Sequence, residues 1–177
     1  MKFTALPLPG AFVIAPEPIA DVRGSFARVF CEREFTEHGI ETRFAQHSVS
    51  RNTRAGTLRG MHFNAPPHEE AKLVSCQSGA IHDVIIDLRP NSPTFKQHAA
   101  VELSAENGLR LFIPRGFAHG FQSLTDHSTV LYMISDFYVP EAARTVRYDD
   151  PAFAIAWPCA VSVISDKDRD APLFSAP

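Results

Sequence analysis

Short apolar runs, each about as long as one β-strand, recur along this chain and constrain its fold more than any other feature. Turn residues (Gly, Pro, Asn or Asp) close each run. The four clearest runs are residues 80–88, 99–103, 109–113 and 129–134. Only two short segments predict helices: residues 31–38, and a segment that begins at a Ser165 capping box. Many short strands with few helices predict a sandwich, jelly roll or barrel.

The length of the chain, 177 residues, is typical of one domain and is sufficient to bury a core. No repeat, low-complexity segment or change in composition marks a linker. We therefore predict a single domain over residues 1–177. Prolines outnumber glycines, 14 to 9, and this balance suits a fold with many strand ends and turns.

Charge and cysteine usage exclude several classes of protein. The formal net charge is −3, so a broad basic surface for nucleic acid is not expected. No apolar run reaches the ~18–20 residues of a membrane-spanning helix, and the N-terminus lacks a signal peptide. The chain has 3 cysteines, an odd number, and they are widely spaced, which argues against disulfides and against a cysteine zinc site. These features predict a cytoplasmic protein without a membrane or nucleic-acid partner.

Two spaced motifs resemble the paired motifs of the cupin superfamily, whose fold is a small all-β jelly-roll barrel. The first places Gly56, His62, Glu70 and Gly79 at the cupin spacing, and the second places Gly108, Pro114, Gly116 and His119. Metal-binding cupins carry His-x-His where this chain has His62-Phe63-Asn64. Because asparagine is a poor ligand for a transition metal, we predict no metal, and a metal-dependent oxygenase is the weaker alternative.

An ordered series of further segments resembles the dTDP-4-dehydrorhamnose 3,5-epimerase family over nearly the whole chain. The series is Asp21–Phe26, Gly56–Phe63, Lys72–Val74, Gly79–Val84, Asp87–Arg89, Ser92–Phe95, Pro114–Phe121, Tyr132, Tyr138–Pro140, Asp149–Pro151, Ile155–Pro158 and Ser165–Asp168. The resemblance implies an isomerase that epimerises a nucleotide-linked 4-keto-6-deoxyhexose at C3 and C5 without a cofactor. A base removes a proton beside the ketone, an enolate forms, and an acid protonates the opposite face.

The resemblance assigns four catalytic positions. His62 is the base, and Asp168 hydrogen-bonds it; Lys72 holds the sugar 4-oxygen, and Tyr132 is the acid. We expect His62 and Lys72 to lie on two adjacent strands with both side chains on one inward face. Each position also has a purely structural alternative. His62 could be a barrel histidine, and Asp168 a first-turn acid after the Ser165 cap. Lys72 could be an exposed edge-strand lysine, and Tyr132 a core tyrosine.

Six substrate-binding positions also follow from the resemblance. They are Arg23, Phe26, Gln46, Arg59, His119 and Tyr138. The two arginines suit a diphosphate through their forked donors, and the two aromatic rings suit stacking on the base. Gln46 is expected to contact the nucleotide or phosphate, and His119 to lie in the sugar pocket. The family is a homodimer with exchanged N-terminal strands, so Arg23 and Phe26 are expected from the partner subunit.

Three departures from the family pattern lie where the nucleotide is expected. Arg28 replaces the glutamate that helps to read thymine, Ser48 replaces an asparagine, and the stretch 50–56 is one residue longer than usual. The reaction type is therefore predicted more firmly than the nucleobase, for which thymine, guanine and cytosine stay open. Epimerisation at C3 or C5 alone and a sugar-nucleotide binding module without catalysis stay open as alternatives.

Overall fold

The structure of the chain, a computed structural model, describes residues 1–175, so residues 176 and 177 of the predicted domain lie outside it. Within that range the chain forms thirteen strands and two short helices. The strands are β1 (Lys2–Ala5), β2 (Phe12–Ala15), β3 (Ile19–Asp21), β4 (Gly24–Phe26), β5 (Gln46–Asn52), β6 (Leu58–Asn64), β7 (Lys72–Ser78), β8 (Ala80–Asp87), β9 (His98–Ser104), β10 (Arg110–Ile113), β11 (Phe117–Ser123), β12 (Ser128–Ile134) and β13 (Ala143–Thr145). The helices are α1 (Glu32–Glu37) and α2 (Asp166–Arg169), and no helix of the described residues could span a membrane.

The elements predicted most clearly from the sequence are confirmed. Strands β8, β9, β10 and β12 match the four apolar runs to within one residue at each end. Helix α1 lies within the predicted segment 31–38. Ser165 is the N-cap of α2, since its hydroxyl accepts a hydrogen bond from the Asp168 amide at 3.2 Å. The cap fixes where α2 begins and therefore where Asp168 lies.

Two antiparallel sheets carry most of the strands. The large sheet has six strands in the order β1-β2-β10-β7-β12-β5, and the small sheet has five in the order β13-β6-β11-β8-β9. From β6 to β12 the chain crosses repeatedly from one sheet to the other, so neighbours in sequence often face each other rather than pair. This arrangement is the predicted all-β, cupin-type jelly-roll barrel.

The main core fills the space between the two sheets. Val74 and Val130 come from the large sheet, whereas Ile81, Ile85 and Phe121 come from the small sheet, and all five are at most 1% exposed. Burial of five such side chains contributes on the order of 10 kcal/mol before conformational entropy is counted. Strand alternation then places residues two positions from these core residues on the same inward faces.

The outer face of each sheet is also covered. Helix α1 packs Phe35 against Leu73 and Phe112 of the large sheet. The chain after β13 packs Val146 and Phe153 against the small sheet. The carboxyl-terminal segment is thereby held against β6, and the isolated bridge between Thr57 and Val163 joins it to the start of that strand.

A fully buried carboxylate ends β8. Asp87 accepts hydrogen bonds from Arg89 Nε at 2.9 Å, from Ser92 Oγ at 2.5 Å and from Thr94 Oγ1 at 2.7 Å. Burial alone would raise the pKa of Asp87, but these donors lower it to about 2. Asp87 therefore organises the turn between β8 and β9 as an ionised group.

Strands β3 and β4 form a separate two-stranded hairpin that leaves apolar side chains in water. Ile19, Val22 and Phe26 are 76%, 104% and 79% exposed. Isolated two-stranded hairpins are marginally stable in water, and exposed apolar clusters commonly mark interaction surfaces. Within residues 1–175, the hairpin therefore leaves these apolar side chains without cover.

Candidate active site

A cavity of about 340 Å³ opens between the large and small sheets. Its volume suits a sugar-sized ligand. Six residues predicted from the sequence line it: Arg59, His62, Lys72, His119, Tyr132 and Tyr138. Side chains that the sequence analysis did not assign also line it, and the main ones are Asn64, Glu70, Arg144 and Lys167.

His62 and Asp168 form a hydrogen-bonded pair at one wall of the cavity. The His62 Nε2 atom lies 2.7 Å from Asp168 Oδ1, and the Gly60 amide donates to Asp168 Oδ2 at 3.2 Å. Burial alone would raise the pKa of Asp168, but the bond and charge of His62 hold it below its usual value. An ionised Asp168 places the ring proton on Nε2, which leaves Nδ1 as the nitrogen that can take a proton.

The position of His62 depends on a close contact between two glycines. A Cβ on Gly60 would lie 2.5 Å from the Gly120 Cα atom, and Gly60 has a φ of +124°. A Cβ on Gly120 would lie 2.6 Å from Met61 Sδ and 2.7 Å from the Arg59 carbonyl oxygen. Since all three distances are too short for a real Cβ atom, only glycine at both positions lets β6 and β11 approach this closely.

Lys72 lies across the cavity from His62, and here the sequence-based expectation was wrong. The two residues do not lie on adjacent strands, because β6 belongs to the small sheet and β7 to the large sheet. They share one cavity because the chain crosses between the sheets after residue 64. Lys72 is not an exposed edge residue either: β7 lies between β10 and β12, and its side chain is 10% exposed.

Tyr132 projects from the large sheet, two residues after the core residue Val130. Its ring lies edge-on to His119, with 5.8 Å between centroids. Desolvation of the hydroxyl raises the pKa of Tyr132 well above its usual value, the negative charge of Asp83 raises it further, and Arg59 opposes the shift. Tyr132 is therefore a phenol, and not a phenolate, at neutral pH.

His119 is hydrogen-bonded to a carboxylate that the sequence analysis did not identify. The His119 Nε2 atom lies 2.6 Å from Asp83 Oδ1, and both side chains are buried. Asp83 lies on β8 between Ile81 and Ile85, two residues that face the core. An acidic residue at an inward position of an apolar strand is a signal that could have identified it from the sequence.

Polar contacts at the mouth of the cavity hold the residues predicted for the nucleotide. The Arg59 Nε atom donates to Asn52 Oδ1 at 2.8 Å. The Gln46 Oε1 atom accepts a hydrogen bond from the Tyr138 amide at 2.6 Å, and Tyr138 is 65% exposed. An exposed aromatic ring on the lining of the cavity suits stacking on a nucleobase.

Arg23 and Phe26 lie on the exposed hairpin and do not line this cavity. Arg23 instead pairs with its neighbour Asp21, with 2.5 Å between Nη2 and Oδ2. Two of the three departures from the family pattern are single side chains: Arg28 pairs with Glu34 at 3.4 Å, and Ser48 lies in the cavity wall. The hairpin positions can contribute to a site only if a second molecule supplies them.

Cationic groups predominate around the cavity. Arg59, Lys72, Arg144 and Lys167 line it, against the carboxylates of Glu70 and Asp168. This balance favours an anionic ligand. Within residues 1–175, no three side chains of His, Cys, Asp or Glu converge on a point where a metal ion could be held.

Comparison with known proteins decides the family. The model of the dTDP-4-dehydrorhamnose 3,5-epimerases matches residues 5–176. The chain belongs to the dTDP-4-dehydrorhamnose 3,5-epimerase family. A curated member from Methanothermobacter thermautotrophicus is 42% identical over 172 residues, which cover 96% of this chain and 92% of that protein.

Solved structures of the epimerase family share the fold of this chain. The dTDP-4-dehydrorhamnose 3,5-epimerase from Bacillus anthracis, with TDP and PPi bound, is 39% identical with a TM-score of 0.94, covering 98% of this chain and 99% of that one. ChmJ, a 3'-monoepimerase from Streptomyces bikiniensis in complex with dTDP-quinovose, is 35% identical with a TM-score of 0.88, covering 95% of this chain and 85% of that one. Likeness of fold therefore extends to double and single epimerases.

Proposed function

We propose that this chain epimerises C3 and C5 of a nucleotide-linked 4-keto-6-deoxyhexose. The substrate is dTDP-4-dehydro-6-deoxyglucose or a close analogue, and the product is the corresponding dTDP-4-dehydrorhamnose. The observation that carries the proposal is that the His62–Asp168 pair and Tyr132 approach one cavity from different sheets. Inversion of a carbon requires a base and an acid on opposite faces of the ring, and this placement supplies them.

In the proposed reaction, His62 Nδ1 takes the proton from a carbon next to the ketone. The electron pair of that C–H bond moves into the ring and develops as negative charge on the 4-oxygen. Asp168 stabilises the imidazolium that results, because its carboxylate is ionised and 2.7 Å from Nε2. The Lys72 ammonium stabilises the enolate oxygen from across the cavity.

Tyr132 then returns a proton to the opposite face of the same carbon. Its raised pKa keeps the phenol protonated at neutral pH, so a proton is always available to the carbanion carbon. The resulting phenolate regains a proton from water, and His62 releases its proton before the next inversion. The same residues serve C3 and C5 in turn.

For the nucleotide, we propose that Arg59 binds the diphosphate and that Gln46, His119 and Tyr138 line the remainder of the substrate. Arg23 and Phe26 complete the site from a partner subunit in a homodimer that exchanges N-terminal strands. The exposed apolar hairpin supports this proposal, since the part of the chain that the structure describes leaves Ile19, Val22 and Phe26 in water. Sedimentation that gave a monomer would refute the exchange.

Single epimerisation is the second candidate. ChmJ, a 3'-monoepimerase, shares the fold of this chain at 35% identity. The identity of the nucleobase is a separate question from the reaction type, because Arg28 and Ser48 depart from the family pattern. We also propose a cytoplasmic location, which the three free thiols Cys31, Cys76 and Cys159 support.

Proton NMR in heavy water tests the proposal directly. The enzyme is added in catalytic amount to dTDP-4-keto-6-deoxyglucose, and the signals of the C3 and C5 protons are followed. Loss of both signals is expected. Loss of one signal alone would make the chain a single epimerase. No exchange with the dTDP, GDP and CDP forms of the sugar would reject catalysis.

A further inference from the structure

Glu70 is a largely buried carboxylate that the proposed mechanism does not use. It lies on the segment that crosses from β6 to β7, two residues before Lys72. Its Oε1 atom is 2.5 Å from Lys72 Nζ, and its Oε2 atom accepts a hydrogen bond from Asn64 Nδ2 at 3.1 Å. Its side chain is only 12% exposed and lines the cavity.

This carboxylate stands in a cavity whose other charges favour an anionic ligand. A buried ion pair gains little net stability, because the desolvation of both charges opposes their attraction. Removal of one partner leaves the other charge buried and uncompensated. Stability alone therefore explains the placement of Glu70 poorly. An effect of Glu70 on the direction of the Lys72 ammonium explains it better.

A lysine ammonium is a flexible donor. It ends a four-carbon stem and carries three N–H groups that rotate freely, so its direction is set by its partners. Glu70 occupies one of these donors, and no other hydrogen-bond partner of the ammonium is found among residues 1–175. The remaining donors are free to point into the cavity.

Asn64 fixes the other oxygen of Glu70. Asn64 lies on β6, two residues after His62, whereas Lys72 begins β7 on the facing sheet. The Asn64–Glu70–Lys72 chain of contacts thus joins the strand that carries the base to the strand that carries the lysine. These contacts set the direction of the Lys72 ammonium relative to His62. In the proposed reaction both residues act on the same enolate.

We propose that Glu70 is a positioning residue that holds the Lys72 ammonium toward the sugar 4-oxygen. The inference rests on the proposed function, since it assumes that an enolate forms in this cavity. Glu70 touches no reacting atom and acts only through Lys72. A displacement of about 1 Å in a catalytic group lowers rates by about 100-fold, so Glu70→Ala is expected to lower kcat by about 10- to 100-fold.

A double-mutant cycle with Lys72 tests this dependence. Glu70→Ala, Lys72→Ala and the double variant are compared by the rates of deuterium incorporation at C3 and C5. If Glu70 acts through Lys72, the double variant is no slower than Lys72→Ala alone. Losses that multiply in the double variant would overturn the proposal, as would a Glu70→Ala enzyme within about threefold of wild type.

Two further variants separate position from charge and from folding. Glu70→Gln keeps an oxygen that accepts from Lys72, and a reversed Asn64 amide can accept from its nitrogen, so most of the rate is expected to return. Equal losses in Glu70→Gln and Glu70→Ala would overturn the proposal. Glu69→Ala is the matched control on the same segment and is expected to keep the wild-type rate.

Binding of dTDP provides a readout that does not require turnover. Glu70 pairs with Lys72, which is proposed to hold the sugar and not the nucleotide, so the Kd for dTDP is expected to be unchanged in Glu70→Ala. A Kd raised together with the loss of rate would show general damage to the site and would overturn the positioning role. A wild-type enzyme without exchange at C3 or C5 would instead reject the proposed function itself.

Discussion

Replacement of Asp168 by asparagine is the sharpest test of the His62–Asp168 pair, because the two side chains have the same shape. In the native site one carboxylate oxygen faces His62 Nε2 and the other accepts from the Gly60 amide. Asparagine has only one oxygen, so it satisfies one of these neighbours. The two orientations of the amide therefore have different consequences for the base.

If the amide nitrogen faces His62, it donates to Nε2 and moves the ring proton to Nδ1, where the base must be free. If the nitrogen faces the Gly60 amide, a buried N–H loses its acceptor, which costs about 1–3 kcal/mol. The orientation that keeps the base competent is therefore disfavoured by about 5- to 150-fold. A neutral acceptor also stabilises the imidazolium less than a carboxylate does, by about 1 kcal/mol, or about fivefold.

Together these effects predict that Asp168→Asn lowers kcat/KM by about 25- to 750-fold. The assay is deuterium incorporation at C3 and C5, with thermal unfolding and dTDP affinity as checks on the fold. Asp166→Asn is the matched control: it lies on the same helix, is exposed, and pairs only with Arg169 at 2.8 Å. An Asp168→Asn enzyme within about threefold of wild type would refute the tautomer argument.

Three other substitutions have definite expected outcomes. Tyr132→Phe is expected to reduce epimer formation more than deuterium incorporation, because His62 still removes the proton and can return a deuteron to the same face; equal losses would contradict the assignment of the acid. Asp87→Asn is expected to lower the free energy of unfolding by about 2 kcal/mol at neutral pH, from a pKa of about 2 against an ordinary 3.8. Because a lowered pKa stabilises the fold above the ordinary value, urea titrations should show that difference shrinking as the pH falls from about 5 to about 2. Gly120→Ala is expected to cost about 1–3 kcal/mol in the same titration, since the added methyl meets Met61, and an unchanged midpoint would contradict the close contact.

The elements that depend on local sequence were the ones predicted best. Short apolar runs closed by turn residues fix β8, β9, β10 and β12, and a single cap fixes α2, because each needs only its own residues. Family resemblance then identified six of the side chains that line the cavity. The pairing of Lys72 was outside this reach: the cupin spacing marks Glu70, but its contact with Lys72 arises only once the strands have assembled.

The relation between the strands was predicted less well, for a topological reason. Ten residues separate His62 from Lys72, which is a separation that suits a hairpin as well as a crossover. A hairpin would have placed both residues in one sheet, and the sequence-based expectation assumed this. The crossover instead places them on facing walls, which is the arrangement that the proposed chemistry needs.

The carboxylate of Asp168, which pairs with the proposed base His62, lies on a helix of a single turn close to the end of the chain. The Ser165 cap fixes where helix α2 begins. Few side-chain hydrogen bonds then hold the helix to the barrel, namely those of Asp168 with His62 and with the Gly60 amide. Elements with so few supports open locally at a free energy well below that of global unfolding. As temperature rises, the enzyme should therefore lose its paired base while both sheets are still intact, so the thermal limit of activity is set by one turn of helix and not by the barrel.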